Sequence, residues 1–205
     1  RAFLMFRSEQ GQIDTWTYRE FDAVVEGAAE LLSAHGVTAG DAVHLCLRNS
    51  PAFIAICLAT ARLGAWMVPV DPASSSRDIT TQLARVSPKI GFYATQRAAP
   101  YLAGVGEGSA LRTVALEETA ADVEPGGRLV TPPAVRYAAP RPASVSVDPD
   151  SRLAVMFTSG TTSQPKGVVL TQANYRHVAQ AMAAAANLGA DDRWLVVLPL
   201  FHANA

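Results

Sequence analysis

The run Thr158-Ser159-Gly160-Thr161-Thr162-Ser163 contains only hydroxyl-bearing residues and glycine, and Gln164-Pro165-Lys166-Gly167 follows it directly. Small residues of this kind leave backbone N–H groups unobstructed, and the hydroxyls add donors of their own. That is the chemistry a polyphosphate requires of a flexible cradle. Lys166 adds a positive point charge for phosphate oxygens; Lys89 is the chain's other lysine, and the remaining basic residues are arginine. Pro165 restricts the backbone immediately before Lys166 and so helps to aim its side chain. A shorter Gly/Ser/Thr cluster would read as a plain hairpin loop. The fixed order through Pro-Lys-Gly favours phosphate binding instead.

Gly160 and Lys166 have the separation of the first glycine and the lysine in the Walker pattern G-x-x-x-x-G-K-[ST], but the chemistry departs at two positions. Pro165 replaces the second glycine and has no N–H, and Gly167 replaces the Ser/Thr whose hydroxyl would hold Mg²⁺. Val168-Val169-Leu170 also reads as a strand where a Walker motif requires a helix. The Walker reading is therefore rejected.

The elements that must carry this loop follow from apolar spacing and from start and stop residues. Thr17-Tyr18-Arg19-Glu20 is a capping box, and Phe21, Val24, Val25, Ala28, Leu31 and Leu32 follow at helical spacing until Gly36. Ala42 to Leu47 reads as a strand. Ser50-Pro51 opens a second helix ending near Gly64, and Trp66 to Val70 is a strand closed by Asp71-Pro72. A third helix is expected over about Arg77 to Val86, with strands at Ile90 to Ala94 and Leu111 to Leu116. Leu153 to Phe157 and Val168 to Leu170 read as strands on either side of the polar loop. A helix from about Thr171 to Asn187 and a last strand at Trp194 to Leu198 complete the pattern. Trp66, Trp194, Phe53 and the run Ala181 to Ala186 are expected to be core and helix-packing residues. Alternating helices and strands with short connections imply an α/β class, with a mainly parallel sheet flanked by helices. Pro125, Pro132, Pro133, Pro140, Pro142 and Pro149 exclude a long helix or central strand between Thr119 and Asp150. The expected division is 1–118 as a first α/β portion, 119–150 as a proline-rich connection, and 151–205 as the phosphate-loop hairpin, helix and strand.

In order and spacing, these segments resemble the adenylate-forming superfamily of acyl-CoA synthetases, nonribosomal-peptide adenylation domains and beetle luciferases. Thr158 through Gly167 is similar to its signature loop. Thr17-Tyr18-Arg19-Glu20-Phe21 looks like the early helix start of the family. Leu63-Gly64-Ala65 with Val68-Pro69-Val70-Asp71-Pro72 looks like its second core motif, and Pro199-Leu200-Phe201-His202 like its fourth. Ser163 stands where many members have Gly, and Gln172 where many have His.

The resemblance implies layered, mainly parallel sheets within the large N-terminal domain of an adenylate-forming enzyme. It also implies a two-step reaction with ATP, Mg²⁺ and coenzyme A. A carboxylate attacks the α-phosphorus of ATP to give an acyl-adenylate and pyrophosphate, and a thiol then takes the acyl group. Thr158, Ser159, Gly160, Thr161, Thr162, Ser163, Lys166 and Gly167 would form the nucleotide phosphate site. Lys166 and His202 would be the catalytic residues, with His202 beside the carboxylate pocket gating the thiol's access. Isolated histidines are ordinarily structural, and His35, His44 and His177 are read that way. Amino-acid-activating relatives carry an Asp after the corresponding Phe to pair with the substrate ammonium. A neutral histidine supplies no such charge, so His202 disfavours amino acids and leaves aliphatic, aryl and other organic acids.

The family's later elements, including the Mg²⁺-binding Glu, the ribose-binding Asp and the C-terminal catalytic Lys, have no counterpart in these residues. The chain is thus expected to be the N-terminal part of a longer ligase. Alone it is expected to be inactive and to expose apolar surface where the C-terminal part of the same protein would pack. Two alternatives remain: an assembly-line adenylation domain whose acceptor is a carrier-protein thiol, and a non-catalytic nucleotide-binding module.

Composition bounds the remaining classes. The 205 residues include 17 Lys plus Arg and 18 Asp plus Glu, a formal net charge of −1, which disfavours nucleic-acid and membrane-surface binding. Hydrophobic residues make up 49% and charged residues 17%, enough to bury a core. The longest uncharged apolar stretch, Ala52 to Ala61, is about half of the roughly 20 residues a membrane span needs. Cys46 and Cys57 read as small buried hydrophobes rather than a disulfide pair, consistent with a cytoplasmic protein.

Overall fold

The computed structural model describes residues 1–124, 128–129, 145–158 and 166–202. The chain opens with a hairpin of β1 (Ala2–Arg7) and β2 (Ile13–Thr17), which sequence periodicity does not show because Ala2 to Phe6 is apolar without alternation. Thr17 then caps α1 (Tyr18–Ala34): its side chain accepts from the Glu20 N–H at 3.3 Å, and the Glu20 carboxylate accepts from the Thr17 N–H at 2.7 Å. Both bonds satisfy donors that the first turn of a helix leaves orphaned. They also hold the Glu20 carboxyl below its ordinary range.

β3 (Ala42–Cys46), α2 (Pro51–Arg62), β4 (Trp66–Pro69), α3 (Ser76–Val86), β5 (Ile90–Ala94), α4 (Ala98–Val105) and β6 (Arg112–Leu116) follow in strict alternation. α4 lies outside the sequence expectation; its Pro100 falls in the first turn, where the missing N–H costs nothing. Between β6 and β9 (Arg152–Phe157) are a 3₁₀ turn at Ala120–Asp122 and the two-residue pair β7 (Val123–Glu124) and β8 (Arg128–Leu129). The prolines at 125, 132, 133, 140 and 142 lie outside the described residues. β10 (Gly167–Thr171) and α5 (Gln172–Ala185) complete the order.

The main sheet runs β10-β9-β4-β3-β5-β6, with every pair parallel except the antiparallel β9 and β10. Parallel strands need cover on both faces. Alternation along β3 and β5 supplies two cores: Val43, Leu45, Ile90 and Phe92 face α1 and α2, while Ala42, Cys46 and Tyr93 face Ile79 of α3 and Tyr101 of α4. Phe53 and Trp66 are buried as expected. Cys46 and Cys57 are free thiols, and burial pushes the Cys46 thiol up to about 12.

Two expectations fail at the chain's end. Trp194 to Leu198 forms no strand, and Leu195 is 82% exposed. The segment has the right residues, but no described strand lies beside it to supply hydrogen bonds. Trp194 is accordingly exposed rather than core. The alanine run of α5 is likewise exposed, since that helix buries none of its residues.

The second core contains an internal polar pair. His44 on β3 is fully buried, and its Nδ1 lies 3.0 Å from the Tyr101 hydroxyl. Gly91, opposite His44 on β5, makes room for that hydroxyl, because a Cβ at position 91 would lie 2.2 Å from Tyr101 Oη. Burial pushes the His44 imidazole down to about 4, opposed in part by the Gln82 side chain. The unfolded chain therefore binds the extra proton below the ordinary value of about 6.5. Stability from this site is fully present above that pH and is lost as pH falls toward 4, by up to about 3 kcal/mol. Urea unfolding at a series of pH values should show this slope in the wild type and a shallower one in His44→Leu; equal slopes would contradict the assignment. Gly91→Ala should destabilise by about 2–4 kcal/mol through overpacking and the broken His44 bond. The cost should shrink in a Tyr101→Phe background, where the clashing oxygen is absent.

Candidate functional site

Because five strands run in one direction, the residues after their carboxyl ends emerge along one edge of the sheet. Asp71 follows β4 and Thr158 follows β9, while the turn Pro199 to His202 comes to the same edge from far along the chain. Ligands in open parallel α/β sheets bind at this edge. A cavity of about 580 Å³ lies here, lined by residues that include Asp71, Asp78, Gln82, Thr158, Phe201 and His202.

The polar loop hangs from a β-hairpin. Gly167 pairs with Phe157 in the β9–β10 ladder, and the Thr158 N–H donates to the Lys166 carbonyl at 2.9 Å. The Thr158 hydroxyl donates to the same carbonyl at 3.4 Å. Thr158 and Lys166 therefore face each other at the mouth of the loop, both exposed. Gly167 also has a packing reason of its own, since a Cβ there would approach Val155 Cγ1 to 3.0 Å. Ser159, Gly160, Thr161, Thr162 and Ser163 lie outside the described residues.

His202 ends a turn closed by its own N–H on the Pro199 carbonyl at 3.0 Å. Its ring lies 4.4 Å from the Phe201 ring, centroid to centroid. The fold thus brings Thr158 and His202 to one cavity, with Lys166 one hydrogen bond away from Thr158. The exposed Lys166 ammonium suits phosphate, and an aromatic-flanked imidazole suits a polar group at the cavity rim. His44 is internal to the second core, as a structural histidine should be.

Sequence reasoning missed Asp71, Asp78 and Gln82 as lining residues. Asp71 carried a signal, because an Asp-Pro that stops a parallel strand must lie at its carboxyl end. The Asp71 carboxylate accepts the Ala73 N–H at 2.8 Å, and Arg97 Nε donates to the Pro72 carbonyl at 2.9 Å, which fixes this corner of the rim. Asp78 and Gln82 are one turn apart on α3 and reach the cavity only through tertiary packing. Beyond Asp71, a second cavity of about 650 Å³ includes Arg48, Gln96 and Glu118 in its wall. Glu118 is buried with φ +62°, and its carboxylate accepts from Arg48 Nε at 2.8 Å and from Gln96 Nε2 at 3.1 Å. The bond to this carboxylate holds the Arg48 guanidinium above its ordinary value. Among the described residues, no three His, Cys, Asp or Glu side chains cluster as a metal site would. No described helix is long and apolar enough to cross a membrane.

Known proteins share this fold. Crotonobetaine/carnitine–CoA ligase from Escherichia coli O127:H6 is 30% identical over 210 residues, covering 98% of this chain and 39% of the ligase. The chain thus spans well under half the length of that curated relative. An acyl-CoA synthetase from Brucella canis superposes with a TM-score of 0.78 at 23% identity, over 97% of this chain and 36% of that one. Apo MatB from Rhodopseudomonas palustris superposes with a TM-score of 0.77 at 24% identity, over 97% of this chain and 37% of its own. At these identities the two structures speak for the fold. The family model described as AMP-binding enzyme matches residues 1–205, and it shows that this chain belongs to the AMP-binding enzyme family.

Proposed function

We propose that the protein containing this chain activates a carboxylic acid with ATP as an acyl-adenylate and passes the acyl group to the thiol of coenzyme A. The observation that carries this reading is the convergence of Thr158 and His202 on one cavity at the carboxyl ends of β4 and β9, with Lys166 across the hairpin mouth. The coenzyme A ligase name of the E. coli relative supports that thiol over a carrier protein.

In an in-line transfer of this kind, catalysis is largely positioning and charge neutralisation. Lys166 and the run Thr158 to Ser163, with Gly167 at its base, would hold the β- and γ-phosphates and steady pyrophosphate as it leaves. Mg²⁺ would neutralise phosphate charge when bound, and its main protein ligand would lie outside this chain. His202 would stand at the rim where the acid's carboxyl group and the thiol must meet. Its lack of a fixed negative charge favours acids without an α-ammonium group.

Catalysis would require the remainder of the protein. α5 and Trp194 to Leu198 present an exposed apolar surface that includes Val178, Met182 and Leu195, and it would pack against that remainder. By itself the chain would be inactive and inclined to self-associate.

In the full-length protein, Lys166→Ala should lower kcat/KM for ATP roughly 10- to 100-fold, the loss of a charged hydrogen bond worth about 1.5–3 kcal/mol. Acid-dependent ATP–pyrophosphate exchange measures this, and an unchanged ATP dependence would overturn the phosphate assignment. His202→Ala should slow coenzyme A-dependent turnover more than it slows exchange, read by comparing the two assays on the same acid.

A further inference from the structure

Arg48-Asn49-Ser50 lies in the four-residue connection from β3 to α2, and each of these three residues is bound to a different part of the molecule. The Arg48 backbone N–H and Nε both donate to the Glu118 carboxylate. Ser50 caps α2, its hydroxyl oxygen accepting the Phe53 N–H at 3.2 Å, and it is 2% exposed. Asn49 is thus held between two anchored neighbours, which restricts where its side chain can point.

That side chain reaches across 149 positions of sequence. Its Nδ2 donates to the Leu198 carbonyl at 2.9 Å, and its Oδ1 accepts the Leu200 N–H at 2.7 Å. The carboxamide therefore grips the backbone on both sides of Pro199. Pro199 has no N–H to offer, so the amide takes up the carbonyl before it and the N–H after it. The carboxamide offers an N–H and a carbonyl oxygen on one side, as a single residue of a neighbouring strand does with its own N–H and C=O, and here it substitutes for the strand pairing that Trp194 to Leu198 lacks. Immediately beyond this grip lies the turn whose last residue is His202.

We propose that Asn49 is a positioning residue for His202: by clamping Leu198 and Leu200, it sets the Pro199 to His202 turn against the sheet edge and so fixes the imidazole at the cavity rim. Among the described residues, the side chain donates and accepts only to backbone, so its part in turnover is exerted through the turn. Leu200 adds to the clamp by packing, partly buried, on the main core. The kinetic consequence rests on the ligase reading, whereas the clamp itself does not.

Hydrogen exchange and kinetics on the full-length protein test the two parts separately. Asn49→Ala should make amides in peptides covering 195–202 exchange about tenfold faster or more, without a comparable change in the buried strands. Asn49→Asp keeps the acceptor for Leu200 but cannot donate to Leu198, so it should give intermediate protection; it also serves if the alanine variant fails to fold. With an acid that the wild type activates, Asn49→Ala should lower coenzyme A-dependent kcat/KM about 3- to 30-fold, and should add no further loss in a His202→Ala background. Unchanged protection of 195–202 in both variants would overturn the clamp. Losses that combine multiplicatively with His202→Ala would overturn its action through the imidazole. If the wild type shows no acid-dependent exchange of pyrophosphate, the ligase reading fails, and the protection of 195–202 alone decides the clamp.

Discussion

Parallel pairing of β3, β4, β5, β6 and β9 is the constraint on which the rest of the molecule depends. Strands that run in one direction must be joined by crossovers, and those crossovers become the helices that cover both faces. The period-2 alternation of β3 then divides into two cores, with Val43 and Leu45 on one face and Ala42 and Cys46 on the other. The same pairing decides where chemistry can occur. Every segment that leaves a carboxyl end of these strands emerges at one edge, so Asn49, Asp71, Glu118 and Thr158 all come to that edge although they are remote in sequence.

The second core shows what a polar group requires inside such a sheet. His44 sits on a strand buried on both sides, and it remains neutral because a charged imidazole there would forfeit its hydration. Its partner, the Tyr101 hydroxyl, reaches it only over a residue without a side chain, Gly91. Stacking of Tyr93 on Tyr101, with ring centroids 4.8 Å apart, keeps the phenol in place. One histidine thus makes demands on β5 and α4 at once.

At the site edge, positions are set by side chains that bind backbone. Asp71 accepts the Ala73 N–H, Arg97 donates to the Pro72 carbonyl, and Asn49 spans Leu198 and Leu200. Loops that carry function need such ties, since they lack the ladders that hold strands. The β9–β10 hairpin uses the ladder itself: its strands pair up to Phe157 and Gly167, and the Thr158 N–H on the Lys166 carbonyl adds one more bond at the mouth. Lys166 is therefore placed by strand pairing, whereas His202 is placed by a single carboxamide and a turn.

Local chemistry in the sequence determined much of this. The capping box at Thr17 to Glu20, the Ser50-Pro51 start, and the polar run before Lys166 are decided within a few residues, so they are legible without a fold. The α/β class was legible for the same reason, because alternation and helical spacing are short-range patterns. Some local structure escaped: the β1–β2 hairpin has no alternation in Ala2 to Phe6, and α4 contains a proline that only its first-turn position makes harmless. Trp194 to Leu198 shows the opposite case, where the residues suit a strand but a strand exists only with a partner. Tertiary structure alone joined Asp78 and Gln82 to Thr158, placed Gly91 beneath Tyr101, and brought Asn49 to Leu198 across 149 positions. Those contacts depend on the order of strands in the sheet, and neither periodicity nor capping chemistry carries information over such separations.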